Sequence, residues 1–496
     1  AIGQSALLVA TTGSKNTMLG HRSEAAITTA GENTFLGNEA GESTTTGGVN
    51  TFIGHQAGEA NTTGNNNVFV GSNAGDANTT AADNVAVGVN ALGANTTGHS
   101  NTAVGKKALL VSTTGSYNTA VGWEAGVGIT SGQSNTLMGQ ATGAGITEGE
   151  SNAFFGMQAG YATTTGDNNT FLGFRAGDAN TTGQNNGAVG HSALGANTTG
   201  ESNAAVGKNA LHSCTTGHSN NGFGADAGYG ITTGVKNVCI GQGAARTLST
   251  GDSNVAIGEQ SCYPATTGDN NTAVGSLSMR NLTSGSGNVG IGYSGLATIT
   301  TGTNNTGVGP AAGSAVTSGG NNFFVGHASG TSSAPGGAVT TGNNEGTLGN
   351  SDISKINVQC SLTVASDQRD KTDFTALDLG LAFVNQLQPV TYKWDKRAKY
   401  VDWKSTPNQD LNSITHDGTH KESWLDVGFK AQEVNALEEA AGYTIASEKN
   451  LTVSLSSDGK QYGMQYEKFV PILVKALQEA DDKIDALTAR IETLEG

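Results

Sequence analysis

Asn33-Thr34-Phe35-Leu36-Gly37 is followed one step later by Asn50-Thr51-Phe52-Ile53-Gly54, and the form Asn-x-x-apolar-Gly returns at Asn101-Thr102-Ala103-Val104-Gly105. The closing glycines run from Gly3 through Gly20, Gly37 and Gly54 to Gly326, each seventeen positions after the last, which makes 20 rungs without an insertion. A short fixed period means a solenoid: so short a segment cannot bury a core alone, but stacked coils can, each backbone bonding to the coil above and below. An extra residue would push the apolar positions off the inner face. The next rung, Gly349, comes later than the period requires after Gly326, and the surplus falls around Ser333-Ala334-Pro335-Gly336-Gly337.

Within the repeat an Ala often stands three residues after the glycine (Ala40, Ala57, Ala74, Ala91), then Gly or Leu (Gly41, Leu92), then a Thr-Thr-Gly turn (Thr45-Thr46-Gly47). Each coil therefore reads as a short strand, a tight bend, a second apolar patch and a polar turn. Asn at one phase predicts a ladder of side-chain amides along the stack. With two or three apolar residues per coil the inner face is thin, which favours several chains packing together. Some motifs are by-products of the period. Gly290-Ile291-Gly292-Tyr293-Ser294-Gly295 fits a dinucleotide fingerprint, but its glycines sit at repeat phases and no helix is expected after it. Asn61-Thr62-Thr63 and Asn95-Thr96-Thr97 fit the glycosylation sequon and read as turns. Asp167, Asp252 and Asp269 read as solvated turn carboxylates.

The 496 residues include 74 Gly and only 6 Pro, without a Gly-X-Y pattern, which excludes collagen. A net charge of −16 repels phosphates and argues against nucleic acid as a partner. No apolar run reaches the roughly 20 residues of a membrane span, so no membrane insertion is expected. The chain opens with neither a signal peptide nor Met, and a preceding segment carrying an anchor is expected. Cys214, Cys239, Cys262 and Cys360 fit no zinc motif or small disulfide framework, and they occupy different repeat phases. Buried or half-buried thiols of a protein folded in a reducing cytoplasm are expected, with no metal and no cofactor.

Residues 1–349 form the repeat and 350–365 a connector, where Ile353 to Val364 reads as strand. From Ser366 the composition changes: residues 366–496 hold 15 of the 25 Lys+Arg and 22 of the 41 Asp+Glu. In this stretch a helix is predicted from Thr375 to Leu387, with Leu377, Leu381, Val384 and Leu387 at helical spacing and Pro389 as its stop. Strands are predicted at Val390–Trp394 and Val427–Lys430, a helix at Ala431–Ala440 and a hairpin of Leu451–Leu455 with Asp458-Gly459. Residues 404–423 read as a loop. The tail divides into 366–469 and a final helix, 470–496, whose Val470, Leu473, Leu477, Ala480, Ile484, Leu487, Ile491 and Leu494 alternate three and four apart. That spacing is a coiled-coil seam; its Ile and Leu positions favour two strands in a simple parallel coil, and packing on its own domain is the alternative. At the junction stands Ser366-Asp367-Gln368-Arg369-Asp370-Lys371. Ser366 is a candidate nucleophile, Lys371 its base and Ala365-Ser366 the bond cut.

The repeat resembles the left-handed β-roll heads of trimeric autotransporter adhesins and the shafts of phage tail fibres. The tail resembles the intramolecular chaperone of endosialidase family, the self-cleaving C-terminal domain of phage tail spikes and fibres. Four blocks in order carry this resemblance: Ser366-Asp367-x-Arg369-x-Lys371, Leu387-x-Pro389-Val390-x-Tyr392-x-Trp394, Gly428-Phe429-x-Ala431-Gln432-Glu433-Val434, and Tyr466-Glu467-Lys468 with the helix after it. It implies a homotrimer whose tail aligns the β fibre and then cuts the chain in front of Ser366 through a serine–lysine dyad, with Asp367 and Arg369 in support. Asp370 stands where many relatives are apolar or basic.

The expected fold is mainly β: a 17-residue-repeat solenoid, trimeric, followed by an α+β chaperone domain ending in a coiled-coil helix. The expected function is host attachment by a phage tail fibre or spike, made in the host cytoplasm and carried on the virion tail. Its partners would be a host cell-surface glycan or protein and the phage tail or baseplate. A bacterial trimeric surface adhesin, which needs a membrane anchor, and a glycan depolymerase, which needs a convergent acidic cleft, are the alternatives.

Overall fold

The computed structural model describes all residues except 7–10, 24–25, 335, 354, 358, 360–365, 402–408, 448 and 457–458. The chain divides into two compact units, Ala1–Asn288 and Val289–Gly496. The first carries sixteen three-residue strands, β1 (Thr17–Leu19) to β16 (Thr272–Val274), one per coil. They pair in parallel at an offset of one period: Thr34, Phe35 and Leu36 (β2) lie opposite Thr51, Phe52 and Ile53 (β3), and these opposite Val68, Phe69 and Val70 (β4). The middle residue of each strand points inward and the flanking two outward, as strand alternation requires. Phe35, Phe52 and Phe69 therefore stack face to face, with centroids 4.7 and 4.9 Å apart and planes within 6°.

The wall across the core explains why Gly or Leu follows the inward Ala. Where the strand centre is Phe, the facing position is Gly: Phe35 with Gly41, Phe154 with Gly160, Phe171 with Gly177. A Cβ on Gly177 would stand 2.5 Å from the Phe171 ring. In several coils whose strand centre is Ala, the facing position is Leu: Ala86 with Leu92, Ala188 with Leu194, Ala205 with Leu211, all fully buried. These two kinds of coil thus split a similar core volume two ways, as a close-packed interior demands. Coils with two small residues borrow from neighbours: at Gly222 an added Cβ would meet the Leu211 side chain at 2.9 Å.

The closing glycines have another cause. Gly156 has φ +129°, and a Cβ there would lie 2.6 Å from the carbonyl oxygen of Gly173 in the next coil. Left-handed backbone and close approach both require glycine.

The expected Asn ladder is present, but its main bonds run to the backbone. Asn152 accepts the Asn169 N–H at 3.0 Å through its side-chain oxygen and donates to the Gly166 carbonyl at 2.9 Å. Amide-to-amide contact is secondary, as from Asn152 to Asn135 at 3.1 Å. A second ladder escaped the sequence reading: Asn78 donates to Asn61 and Asn95 to Asn78, both at 2.9 Å, and all three are fully buried. The two sequon asparagines, Asn61 and Asn95, are thus core turn residues. Asp167, Asp252 and Asp269 are not merely solvated: each accepts a backbone N–H of the preceding coil, from Glu150, Val235 and Asp252, at 2.7–2.8 Å. Cys214, Cys239 and Cys262 are buried free thiols; burial pushes Cys214 up to about 11 and Cys262 to about 12. Cys360 lies outside the described residues.

In the second unit β17 (Val289–Ile291) to β20 (Gly346–Leu348) continue the pattern. The fingerprint glycines Gly290 and Gly292 lie in and just after β17, and no helix follows. Register survives the long step, with Phe323 opposite Gly346. Val339 N–H bonds to Gly330 O at 3.1 Å, the bond Asn61 makes to Gly58 in an ordinary coil, so the six surplus residues fall between positions 330 and 339. Of the expected connector strand, residues 354, 358 and 360–365 lie outside the described set. The described residues between Ile353 and Gln359 form no strand, and Ile353 and Ile356 are exposed. A lone extended segment has no partner for its backbone groups.

The tail's core is Leu379, Phe383, Leu387, Val434, Val453, Phe469 and Ile472. The first predicted helix shrinks to α1, Leu381–Val384. Gly380 caps it and weakens helix before it, so Leu379 reaches the core from extended chain. The helix stops at Val384, well before Pro389. Strands β21 (Val390–Tyr392) and β22 (Asp426–Gly428) pair antiparallel, and α2 spans Ala431–Ala440 as expected. The hairpin forms from β23 (Val453–Leu455) and β24 (Tyr462–Met464); its expected turn residue Asp458 is outside the described set. Within the predicted loop, Leu411–Ser413 is a single 3-10 turn that buries Leu411. The last helix, α3, runs Phe469–Glu495.

Candidate functional site

At the junction, Gln368–Asp370 forms one 3-10 turn whose N-cap is Asp367, its carboxylate accepting the Arg369 N–H at 2.9 Å. The same carboxylate takes the Arg369 guanidinium, Nε at 3.1 Å and Nη2 at 2.6 Å. These bonds hold the Asp367 carboxyl below the usual carboxylate range. Lys371 N–H closes the turn on Gln368 O at 3.2 Å. Three residues per turn bring the chain back on itself, and Lys371 Nζ donates to Ser366 Oγ at 2.6 Å. The turn therefore brings together all four predicted residues, Ser366, Asp367, Arg369 and Lys371, and all four are exposed in the single chain. Ala365 lies outside the described residues.

The other motif blocks turn out to be scaffold. Tyr392 packs edge-on against Trp394, whose indole N–H donates to Asp426 across the strand pair at 3.1 Å. Gly428 is required because a Cβ there would meet the Tyr466 hydroxyl at 2.3 Å. Phe429 stacks on Phe469 with centroids 5.3 Å apart. Two carboxylates were missed by the sequence reading. Glu479 on α3 accepts the Leu381 N–H at 2.8 Å and caps α1. Glu438 on α2 is fully buried and accepts the N–H groups of Thr452 and Leu451 at 2.7 and 3.2 Å, tying α2 to the hairpin. No local pattern marked either, because their partners are distant in sequence.

Both expected uses of α3 occur, on different faces. Phe469, Ile472 and Ala476 are buried in the domain. Leu477, Ile484, Leu487, Ile491 and Leu494 of the seam are 54–78 % exposed, Val470 and Leu473 are exposed too, and Ala480 is half-buried. Among the described residues no helix is long and apolar enough to cross a membrane.

On the solenoid, carboxylate oxygens of Glu39, Glu42 and Glu59 lie within 4.8 Å of one another, and Arg22 pairs with the first two. Partial burial, then Glu39, Glu42 and Asp76, push the Glu59 carboxyl up. A raised carboxyl stabilises the fold while protonated, and that contribution is lost as pH rises from the ordinary Glu value through the raised one. Glu59→Gln is thus expected to raise the thermal midpoint at pH 7 and to leave it unchanged near about pH 3, where the carboxyl is protonated in both states. A melting curve at each pH checks this.

No curated protein matches the chain. Residues 366–443 match the family model described as the chaperone of endosialidase, beginning at Ser366 and ending ahead of the Tyr466 block and α3. That family implies a self-cleaving, peptidase-like chaperone domain. A parallel β-solenoid followed by this domain fits a tail fibre or tail spike protein with an intramolecular chaperone.

Proposed function

We propose that this chain is the shaft and assembly segment of a phage tail fibre or spike, that it forms a homotrimer, and that it severs its own Ala365-Ser366 bond once assembled. The observation that carries the reading is the 2.6 Å contact between Lys371 Nζ and Ser366 Oγ, at the residue where the family match begins. A serine hydroxyl attacks only when a base takes its proton, and a lysine can take it only as a neutral amine. As an ammonium, Lys371 donates to the hydroxyl and the pair rests. Burial disfavours the charged form, so covering this exposed turn on assembly would arm it. Ser366 Oγ then attacks the Ala365 carbonyl carbon and passes its proton to Lys371. The C–N bond breaks, the Ser366 nitrogen takes that proton as a free amine, and an ester to Oγ remains. Water hydrolyses the ester, freeing the Ala365 carboxylate. Asp367 and Arg369 lock the turn that sets this geometry.

Two surfaces support the trimer. One is the exposed seam of α3. The other is the third residue of each strand, apolar in all sixteen coils of the first unit and facing outward: Leu19, Leu36, Val87, Met138 and Leu172 are 37–47 % exposed. An apolar row that long marks an interaction face. Leu487→Asp, on the far half of α3, is expected to convert trimer to monomer in sedimentation and to abolish cleavage without unfolding the domain. A variant monomer that still cuts at the wild-type rate would refute the coupling.

The fibre's task would be attachment to a host cell-surface glycan or protein, with the phage tail joined through a preceding segment. Parallel coils of near-identical sequence can pair out of register, and a clamp that aligns the chains would suppress this.

A further inference from the structure

We infer that the six surplus residues of the coil from Gly326 to Gly349 are a docking platform for the tail, and that the tail stays seated on it after the chain is cut, so that release is a separate step. The retention rests on the self-cleavage reading; the platform does not. Strand register holds across the longer coil, so coil packing gives no reason for the extra length. The insertion is nevertheless built. Ser333 and Ala334 are buried. Thr331 Oγ1 donates to Ala328 O at 2.7 Å, and the N–H groups of Ala334 and Gly337 close short turns on Thr331 O and Ala334 O at 2.9 and 3.1 Å. Ser351 links this insertion to the tail: its N–H donates to Ser333 O at 2.8 Å, and its carbonyl accepts the half-buried Lys396 Nζ at 2.5 Å.

Two parts of the tail reach this coil. Lys399, Val401 and His420 line a cleft whose other wall holds His327, Ser333 and Asp352. Leu455, Gln461 and Tyr462 of the hairpin line a second cleft, opposite Gly336 and Glu345. Each cleft thus touches an inserted residue, Ser333 in one and Gly336 in the other. Arg397 makes one body of the two parts: its guanidinium donates to Leu411 O at 3.1 Å, to Asn412 Oδ1 at 2.9 Å and to Lys460 O at 3.2 Å. Glu345 departs from the repeat as well. It stands four residues before Gly349, where earlier coils carry the ladder Asn. That Asn accepts an N–H of the following coil, as Asn152 does from Asn169. Among the described residues no coil follows β20, and Glu345 faces the hairpin instead.

These contacts span the cut without using it. Breaking Ala365-Ser366 leaves Ser333 and Ser351 on one fragment and Lys396, Arg397 and the hairpin on the other. No residue beside the bond takes part, so the covalent link goes and the seam stays. In a trimer three seams would hold tails that are joined to one another through α3, and linked sites let go far more slowly than a single one. The seam is polar, with a lysine on a carbonyl at its centre, whereas the tail's own core is Leu379, Phe383, Val434 and their neighbours. Polar contacts of this kind part without unfolding either side, which suits a temporary hold better than a permanent one.

The test follows the freshly made full chain through cleavage, with denaturing mass to count cut chains and native size exclusion to see whether the fragments travel together. Cut wild type is expected to elute as one complex of shaft and tail. Lys396→Met should cut at the wild-type rate and shed its tail about tenfold faster or more. Deleting residues 332–337, which returns the coil to the ordinary length, should shed it too. Lys449→Met, exposed and outside both clefts, should behave as wild type. The inference is overturned if wild type parts as soon as it is cut, if Lys396→Met holds its tail as firmly as wild type, or if Lys396→Met no longer cuts, which would place the seam in assembly. A wild type that never cuts removes the self-cleavage reading alone. Ser366→Ala with a foreign protease sequence inserted in the connector, cut there with and without Lys396→Met, then decides the platform: a tail retained in the first and shed in the second supports it, and equal elution overturns it.

Discussion

Ser366→Ala is expected to give one full-length mass where freshly made wild type gives two fragments, one ending at Ala365 and one beginning at Ser366. Without the hydroxyl there is no nucleophile attached to the leaving nitrogen, so no residual path through the same intermediate exists. Lys371→Ala should keep the nucleophile and lose its base, slowing cleavage by about 10²–10⁴-fold. Arg369→Ala should act more mildly, because it loosens the turn without touching the reacting atoms; the Asp367 N-cap to Arg369 N–H survives it. Intact mass against time orders the three. A Lys371→Ala chain cut as fast as wild type would remove the dyad, and cleavage at another bond would remove the site.

The second large effect concerns the split of core volume within a coil. Phe171→Ala leaves a cavity beside Gly177 and removes the ring stacked 4.7 Å from Phe154; such truncations cost about 3–5 kcal/mol. Gly177→Leu alone drives a side chain into the Phe171 ring, whose nearest atom is 2.5 Å from the new Cβ. Together the changes recreate the Ala188–Leu194 coil next door, where leucine already takes a left-handed φ of +52°. The double variant should recover all but about 1.5 kcal/mol. Large proteins often unfold irreversibly, and inactivation half-lives at a raised temperature make the comparison without requiring reversibility. A double variant as damaged as the sum of the singles would show that the pairing of residue types is incidental.

Most of the solenoid could be read in advance because its information is periodic. A closing glycine in every coil and an inward residue two before it set strand, register and core at once. That Gly or Leu follows the inward Ala was visible as a pattern, but its link to the residue at the strand centre needed the wall opposite. The buried Asn61 ladder was hidden by its likeness to an ordinary turn. In the tail, α2 was legible because its start and end coincide with local signals. The first helix was overread because leucines at helical spacing outweighed Gly380, which starts a new segment. At the junction, the spacing of Ser366 and Lys371 is weak by itself, and the ordered blocks of the family resemblance singled them out; that a 3-10 turn lets them touch depends on Asp367 capping it. Glu438 and Glu479 owe their roles to partners across the domain and could not be found locally.

The constant one-period offset between bonded coils has a further result. In Ala1–Asn288 each coil leans on its two neighbours, so stability is a chain of adjacent handshakes and not one global bargain. Closing such short loops is entropically mild, and growth can proceed one coil at a time from whichever coil is first fixed. Loss of order runs the same way, fraying inward from the outermost ring. A shaft shortened by whole coils would keep its character and change only its reach.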